Sequence, residues 1–345
     1  FFSFLYSKYL SIFTDKIAQI KLIIVQKIMF DEKRKMRKLA EKLGISLSSI
    51  ENEIKFLNFN ELNIVDLMPE MLIMVRSLIA SKTFAYKRKP IRTIEKGLLI
   101  SFQNILINKK SANAISKRSL NNQPHVRIIP SHLESEVLFP KDVHVQQISI
   151  LVELEYLKHF VGNDADKLSY LFDIEKTFWI EEFLSPEMTD LIAQLADLSI
   201  ENILPQTFYR LKALELIYLL FSNLLKRKKT DYFHLNNAEI DAVYLVRNTI
   251  ASNLEKSLSK DELVKIGGMN ELKLRSIFTQ VFGKGMYEYY NHLRMQKAAR
   301  LLQQENLSVS EVGYQVGFSN LSYFGRLFEK HFGLKPKKWQ DKNRM

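Results

Sequence analysis

The feature that most constrains this chain is a stretch near its C-terminal end, LSVSEVGYQVGFSNLSYFGRLFEKHFGLKPKKW (307–339). Its apolar residues recur at helical spacing on both sides of Gly317, a residue that can adopt the positive φ that ends a helix sharply. Ser319 can then cap a second helix through its hydroxyl group. The second helix is predicted to bury Tyr323, Phe324, Leu327 and Phe328 and to expose Asn320, Leu321, Ser322, Gly325, Arg326 and Lys330. Such a polar face with Arg and Lys is typical of a helix that enters the major groove of DNA, although a simple two-helix hairpin has the same periodicity.

The pattern occurs a second time in residues 263–283, LVKIGGMNELKLRSIFTQVFG, where 268–270 take the places of 317–319. The predicted buried stripe of this copy is Leu274, Ile277, Phe278, Val281 and Phe282. Residues 284–306, between the copies, contain no proline and are predicted to form one helix of about 30 Å. One turn of B-DNA is about 34 Å long. The repeat therefore favours two recognition helices, held about one turn apart on one face of the duplex, over an unrelated hairpin.

On these residues, the segment 240–342 resembles the DNA-binding domain of the AraC/XylS family of bacterial transcription regulators. In its second half the matching residues are Gly317, Phe318, Ser319, Ser322, Tyr323, Phe324, Arg326, Phe328, Lys330, Gly333, Pro336 and Trp339. In its first half they are Leu263, Gly268, Met269, Leu274, Phe278, Gly283, Leu293, Arg294, Ala298, Leu301 and Leu302. The sequence departs from the family pattern at Val264, Gly313, Glu329 and Gln340, and the last two departures are expected to weaken phosphate contacts.

The resemblance implies a mechanism in which each recognition helix enters a segment of the major groove. The candidate DNA-binding residues are Asn270, Glu271, Lys273, Arg275 and Ser276 in the first unit, and Ser319, Asn320, Leu321, Ser322, Arg326 and Lys330 in the second. Asparagine suits adenine and arginine suits guanine. The implied partner is double-stranded DNA, and RNA polymerase is left open as a second one.

The distribution of charge agrees with a nucleic-acid partner. The formal net charge is +12, of which +7 falls in residues 241–345 and +5 in residues 1–60, whereas residues 61–240 are neutral. A basic domain attracts phosphate without regard to sequence, so specificity must come from base edges. Cysteine is absent, which excludes disulfides, thiolate catalysis and the alkyl-accepting DNA-repair relatives of the family. No run of 18 apolar residues occurs, so we expect a cytoplasmic protein with no membrane partner.

The chain is predicted to be α+β and mostly helical, in three parts. Residues 1–60 are predicted to form an N-terminal helical segment, and residues 231–345 the all-α domain with two helix-turn-helix units. Within the first part, residues 36–57 follow the helix-turn-helix pattern again, with Ser46 as the cap of a helix that carries Ile50, Ile54 and Leu57. This pattern suits either a further DNA-binding unit or a packing hairpin.

Residues 61–230 are predicted to form a ligand-sensing and dimerisation domain, built from an antiparallel sheet or barrel and helices. The predicted strands lie within 97–107, 125–129, 132–139 and 143–153, and the predicted helices within 154–162, 163–173, 185–198 and 206–229. Ser185 is expected to cap the third helix. The last helix is apolar on two sides, so it is either fully buried or pairs with a second copy of the chain, which leaves a homodimer open. The stretch 210–216 resembles siderophore-responsive members of the family, which favours a siderophore-like chelate over a sugar as effector.

The sequence gives little support for a metal site, a cofactor or a catalytic site. The histidines and carboxylates of the predicted strands (His125, His132, His144, His159, Glu134 and Glu136) lack metal-ligand spacing, so we predict neither a metal site nor a cofactor. No catalytic triad, phosphate loop or paired-carboxylate motif is present, and we expect no enzyme activity. The leading hypothesis is a regulator that responds to a small-molecule effector. The alternatives are a ligand-independent architectural DNA-binding protein and an enzyme with a DNA-binding tail.

Overall fold

The computed structural model describes residues 57–343 apart from 69, 89–90, 92–93, 95, 104–123, 140, 143, 174–176, 197–202, 228–231, 257 and 305–306. Its strands are β1 (Leu57–Met68), β2 (Met71–Ala80), β3 (Phe84–Arg88), β4 (Gly97–Gln103), β5 (His125–Pro130), β6 (Ser135–Phe139), β7 (His144–Glu153) and β8 (Ile180–Phe183). The helices of the first half are α1 (Leu154–Val161), a 3₁₀ helix (Gly162–Leu168), α2 (Ser169–Phe172), α3 (Pro186–Ala196) and α4 (Pro205–Leu225). The helices of the second half are α5 (Asn237–Ser252), α6 (Lys260–Gly267), α7 (Glu271–Phe282), α8 (Met286–Gln304), α9 (Val309–Gln315), α10 (Leu321–Phe332) and α11 (Pro336–Asn343).

Six strands form one antiparallel sheet in the order β1-β2-β7-β4-β5-β8, and β3 pairs with β6 in a separate ribbon. In the described residues the sheet is open, with β1 and β8 at its edges, so of the two predicted forms the sheet is correct and the barrel is not. The central strand β4 is buried on both faces, because helices cover one face and the C-terminal half of the chain covers the other.

The two faces of the sheet belong to different cores. On one face Ile73, Ile100 and Ile150 pack with residues of α3 and α4. On the other face Leu99 and Leu151 pack with residues of α5, α7 and α8. Both cores exclude apolar surface from water, which is the main favourable contribution to folding. The sheet therefore lies between two sets of helices: α3 and α4 pack on one face, and the helices of the first helix-turn-helix unit pack on the other.

The predicted strands correspond to β4 to β7, and three of the four predicted helices are present as α1, α3 and α4. The predicted helix at 163–173 is instead a 3₁₀ helix followed by the short helix α2. Met188 N donates to Ser185 Oγ at 3.3 Å at the start of α3, as the predicted cap requires. The strand β8 and the separation of residues 57–88 into three strands were not predicted. Leu57 was wrongly assigned to a helix; it is the first residue of β1 and pairs with Ala80. The rest of the predicted helix-turn-helix at 36–56 lies outside the described residues.

One face of the long helix α4 is buried, through residues such as Ala213, Leu216, Leu220 and Leu224. Its other face carries exposed apolar residues at intervals of seven, Leu211, Tyr218 and Leu225. The helix is therefore not fully buried within one copy of the chain. None of the helices among the described residues combines the length and the apolar character needed to cross a membrane.

The C-terminal half contains two helix-turn-helix units, α6–α7 and α9–α10, joined by the unbroken helix α8 of 19 residues. The helix α5 and the loop after it pack with α6 and α7 in one core, so they are counted with the first unit. The second unit has a small core of its own, formed by residues such as Val312, Phe324 and Phe328 against Met295 and Leu302 of α8. The first unit has no separate core, since its residues belong to the core behind the sheet.

Candidate nucleic-acid interface

The start of each helix-turn-helix unit is defined by a capping box. Ser259 before α6 and Ser308 before α9 each accept a hydrogen bond from the third helical residue, a glutamate, whose side chain binds back to the cap. These reciprocal bonds satisfy backbone groups that a helix end otherwise leaves open. In the first unit Gly268 ends α6 with a left-handed φ of 61°, a conformation that glycine adopts without steric cost. The local sequence therefore sets where each unit begins and turns.

Asparagine residues begin both recognition helices. Asn270 Oδ1 accepts from Lys273 N at 2.8 Å, and Asn320 Oδ1 accepts from Tyr323 N at 2.9 Å. The prediction that Ser319 caps the second helix was wrong. The cap lies four residues before the first buried residue of each helix, Leu274 in α7 and Phe324 in α10, so burial of Phe324 puts the cap at position 320.

The second turn is one residue longer than the first. Eleven positions separate the caps Ser259 and Asn270, whereas twelve separate Ser308 and Asn320. Ser319 is the additional residue. The helices α7 and α10 are therefore equivalent with an offset of 50, and both end at a glycine with positive φ, Gly283 and Gly333.

The candidate residues of the first unit lie together on the outer side of α7. Asn270, Glu271, Lys273 and Arg275 are exposed and Ser276 is half-buried. Two of these side chains already have partners, since Glu271 pairs with Lys260 at 2.9 Å and Lys273 with Glu239 at 2.7 Å. The first pair is exposed, so it contributes little to stability and can exchange for a phosphate contact.

The candidate residues of the second unit lie along α10 in the same way. Ser319, Asn320, Ser322, Arg326 and Lys330 are exposed, and Leu321 is half-buried. Tyr323 was predicted to be buried, but its side chain is 39% exposed. The reason is that Phe324 and Phe328 alone define the buried stripe, so the residue before Phe324 lies at the edge of the outer side.

One exposed residue of the first recognition helix was not among the candidates. Leu272 lies between two of them and is 74% exposed. At the equivalent position of the second helix stands Ser322. A large exposed apolar side chain on a helix that faces a groove suits contact with a thymine methyl group. Comparing the two copies position by position at the offset of 50 would have found it in the sequence.

The first unit is fixed to the edge strand β8 by buried charges. Glu181 receives Arg127 Nη2 at 2.9 Å, Arg247 Nη2 of α5 at 3.6 Å and His125 Nε2 at 3.5 Å. It also accepts a hydrogen bond from the Tyr244 hydroxyl of α5. Burial raises the pKa of the Glu181 carboxyl, but these neighbours outweigh burial and bring its pKa to about 2.

A second buried ion pair joins the end of α4 to the same strand and to the recognition helix. Arg227 Nε binds Glu182 Oε2 at 2.7 Å, while Nη1 donates to the carbonyl of Gln280 at 3.1 Å. The Gln280 side chain in turn binds the backbone N and O of Phe233. Arg227 therefore lies in the contact between the sheet and α7.

Both contacts lie at the far end of α7 from the candidate residues. Among the residues described, no group of three His, Asp or Glu side chains is arranged to hold a metal ion. The arrangement can present two exposed helix faces to a groove while the sheet holds the first unit from behind.

Comparisons with known proteins match the same part of the chain. The family model of a helix-turn-helix domain matches residues 263–342. The probable transcription factor PqrA of Proteus vulgaris is 32% identical over 106 residues, which are 29% of this chain and 87% of PqrA. The HTH-type transcriptional regulator GlxA of Rhizobium meliloti (strain 1021) is 30% identical over 95 residues, which are 28% of this chain. The match spans only 29% of the length of GlxA.

A similar solved structure is that of a probable AraC family transcriptional regulator from Rhodopseudomonas palustris CGA009. It is 25% identical and covers 30% of this chain and 99% of its own, with a TM-score of 0.29. At this TM-score the likeness adds nothing to the sequence match.

Proposed function

Because this chain belongs to the AraC/XylS family of transcription regulators, we propose that it binds a specific DNA operator through both helix-turn-helix units at once. In this proposal α7 and α10 enter successive segments of the major groove. Arg326 reads a guanine, Asn270 and Asn320 contact bases or phosphates through their free amide nitrogens, and Leu272 contacts a thymine methyl group.

The observation that carries the proposal is that the candidate faces of both recognition helices are exposed although the first unit is packed against the sheet. The helix α8 between them has 19 residues and is unbroken, so it spans about 28 Å. That length suits two helices that meet the same face of a duplex about 34 Å apart.

The proposal is tested with Arg326→Ala and a matched loss of charge elsewhere, Arg300→Ala on the exposed side of α8. The operator is first selected from a random duplex library with the wild-type chain. We expect Arg326→Ala to weaken binding to the selected operator about 10- to 100-fold and binding to a random duplex far less. Arg300→Ala should weaken both by a similar, small factor, since it removes only a general attraction to phosphate. Equal losses on both duplexes for Arg326→Ala would contradict a reading role.

The proposal includes a small-molecule effector that binds between residues 61 and 230, with a siderophore-like chelate favoured over a sugar. Its support is the similarity of 210–216, within α4, to siderophore-responsive regulators. Footprinting on the selected operator with and without ferric chelates and sugars tests it. Protection that no compound changes would favour the alternative, a ligand-independent architectural DNA-binding protein, in which the sheet only supports the first unit.

We further propose that two copies of the chain pair through the exposed face of α4. Leu211, Tyr218 and Leu225 recur every seven residues there, the interval at which paired helices bury a common seam. Replacing Leu211 and Tyr218 with glutamate should convert a dimer to a monomer in sedimentation experiments. A wild-type monomer at all concentrations would contradict the pairing.

RNA polymerase contact, a cytoplasmic location and the absence of enzyme activity are also parts of the proposed function.

A further inference from the structure

A buried arginine lies at the junction between the two helix-turn-helix units. Arg294, on α8, is 6% exposed. Its Nε donates to the backbone carbonyl of Val316 at 2.6 Å, at the point where α9 ends. Its guanidinium lies 3.4 Å from the centre of the Phe318 ring and 4.9 Å from that of Tyr290. One side chain of α8 therefore holds both the backbone and the aromatic residue of the second turn.

The same turn also touches the first unit directly. Gly317 has a φ of 83°, and a Cβ atom built on it would overlap the carbonyl oxygen of Glu255, which lies between α5 and α6. Beside this contact, the hydroxyl of Tyr290 donates to the carbonyl of Leu254 at 3.2 Å. The second turn is therefore in close contact with a loop of the first unit. Tyr290, whose ring lies beside Arg294, binds the same loop through its hydroxyl.

The surroundings of Arg294 indicate that this side chain orients the second turn more than it stabilises the fold. Among the described residues no carboxylate pairs with it, and its Nη2 atom is buried without a hydrogen-bond partner. A buried cation with no counter-charge is costly. What the side chain supplies is geometry: a planar group that stacks on a ring while its Nε donates along a fixed direction. Lysine cannot do both, since its ammonium group is a compact charge with no plane to stack.

We propose that Arg294 is a positioning residue that sets the place of the second recognition helix, α10, relative to the first, α7. The inference rests on the proposed binding of DNA by both units. Through Val316 and Phe318 the side chain fixes the turn from which α10 begins, and Gly317 and Tyr290 fix that turn against the first unit. The consequence is that the protein accepts only one spacing between the two halves of its operator.

The spacing between half-sites provides the test. A bipartite operator is selected from a random duplex library with the full wild-type chain, and one or two base pairs are then inserted or removed between its halves. Each base pair turns the second half by about 35° around the duplex axis. We expect the wild type to lose about tenfold or more in affinity per shifted base pair, and Arg294→Lys to lose less than about threefold. Arg300→Lys, the same substitution on the exposed side of the same helix, should keep the wild-type profile.

The outcomes separate the inference from the proposed function. A wild type that selects no bipartite site would overturn both. A bipartite site with an equally steep spacing profile for folded Arg294→Lys would overturn the inference alone. Footprints on the first half should stay unchanged in the variant, while protection of the second half broadens. If Arg294→Lys does not fold, Phe318→Leu replaces the stacked ring with an apolar side chain and must flatten the same profile, or the inference fails.

Discussion

The two helix-turn-helix units follow the same pattern, yet they are attached to the molecule in different ways. The first shares its core with one face of the sheet and is fixed to β8 by Glu181 and Arg227. The second has a separate core and is held by α8 and the junction at Arg294. A movement of the sheet therefore acts directly on the first unit, whereas it reaches the second unit only through α8 and the contacts of Arg294.

Equivalent positions in the two recognition helices show how the difference arises. Gln280 near the end of α7 is fully buried and binds the backbone of Phe233. Its equivalent in α10 is Lys330, which is exposed. Both helices bury apolar residues at two equivalent positions, Leu274 and Phe324, and Phe278 and Phe328. The residues outside these positions decide whether a unit packs against a further domain or faces solvent. Any disturbance of the sheet should thus reach the first unit before the second.

The largest expected effect is that of Glu181→Gln. The substitution leaves Arg127 and Arg247 buried without their carboxylate, which typically costs about 3–5 kcal/mol. Denaturant unfolding should show this loss, and hydrogen exchange should place it in β5, β8 and α5. Asp341→Asn, which breaks only an exposed pair with Lys337, should cost less than about 1 kcal/mol. Equally faster hydrogen exchange in α9 and α10 would contradict the conclusion that the sheet supports the first unit more than the second.

The glycines of the two turns provide the next largest effect. Gly268 and Gly317 both have positive φ, but a Cβ atom on Gly268 meets no atom within 4 Å, whereas one on Gly317 overlaps Glu255. Alanine at 268 should cost about 1–2 kcal/mol for the left-handed backbone. Alanine at 317 should cost about 1–3 kcal/mol more because the loop must move. Thermal unfolding of the two variants measures the difference, and equal losses would mean that the second turn does not press on the first unit.

A histidine that touches both the sheet and the second unit predicts a pH dependence. The ring of His292, on α8, lies 3.7 Å from that of Phe183 in β8 and 4.7 Å from that of His331 in α10, measured between ring centres. Burial, with smaller contributions from His331 and Lys284, lowers the pKa of His292 to about 2. The folded chain therefore keeps this histidine neutral, whereas the unfolded chain protonates it below about pH 6.5.

Only the unfolded state binds a proton at His292 in this pH range, so lowering the pH lowers the free energy of unfolding. The contribution of His292 to stability is complete above pH 6.5 and falls by about 1.4 kcal/mol per pH unit as the pH decreases toward 2. Between pH 6.5 and about 5.5 the carboxyl of Glu181 is almost fully ionised in both states, so its protonation adds little to the slope there. His292→Phe should reduce the slope by about one proton in unfolding experiments that compare the variant with the wild type. An unaltered slope in His292→Phe would contradict the assignment.

The sequence predicted the two units well because their signals are local. Caps, glycines and buried residues lie within four positions of one another, so residues such as Gly268 and Phe328 show the pattern directly. The same holds for β4 and β7, whose apolar runs lie in one stretch of chain. By contrast, the docking of the first unit depends on Glu181 and Arg247, which are far apart in sequence, and nothing local pairs them. The cap at Asn320 was missed because its position depends on which aromatic residue, Tyr323 or Phe324, enters the core.

The smallest expected effect is a gain in stability, confined to the second unit. Gly325 lies inside α10, and a Cβ atom there meets nothing within 4 Å. Its equivalent in α7 is Arg275, so the first helix carries no such weakness. Gly325→Ala should stabilise the chain by about 0.5–1 kcal/mol, because alanine loses less backbone freedom than glycine on folding. Slower hydrogen exchange should appear in α10 and not in α7. A gain that reached both helices equally would mean that the two units unfold as one body, and the separate core of the second unit would then give it no independence.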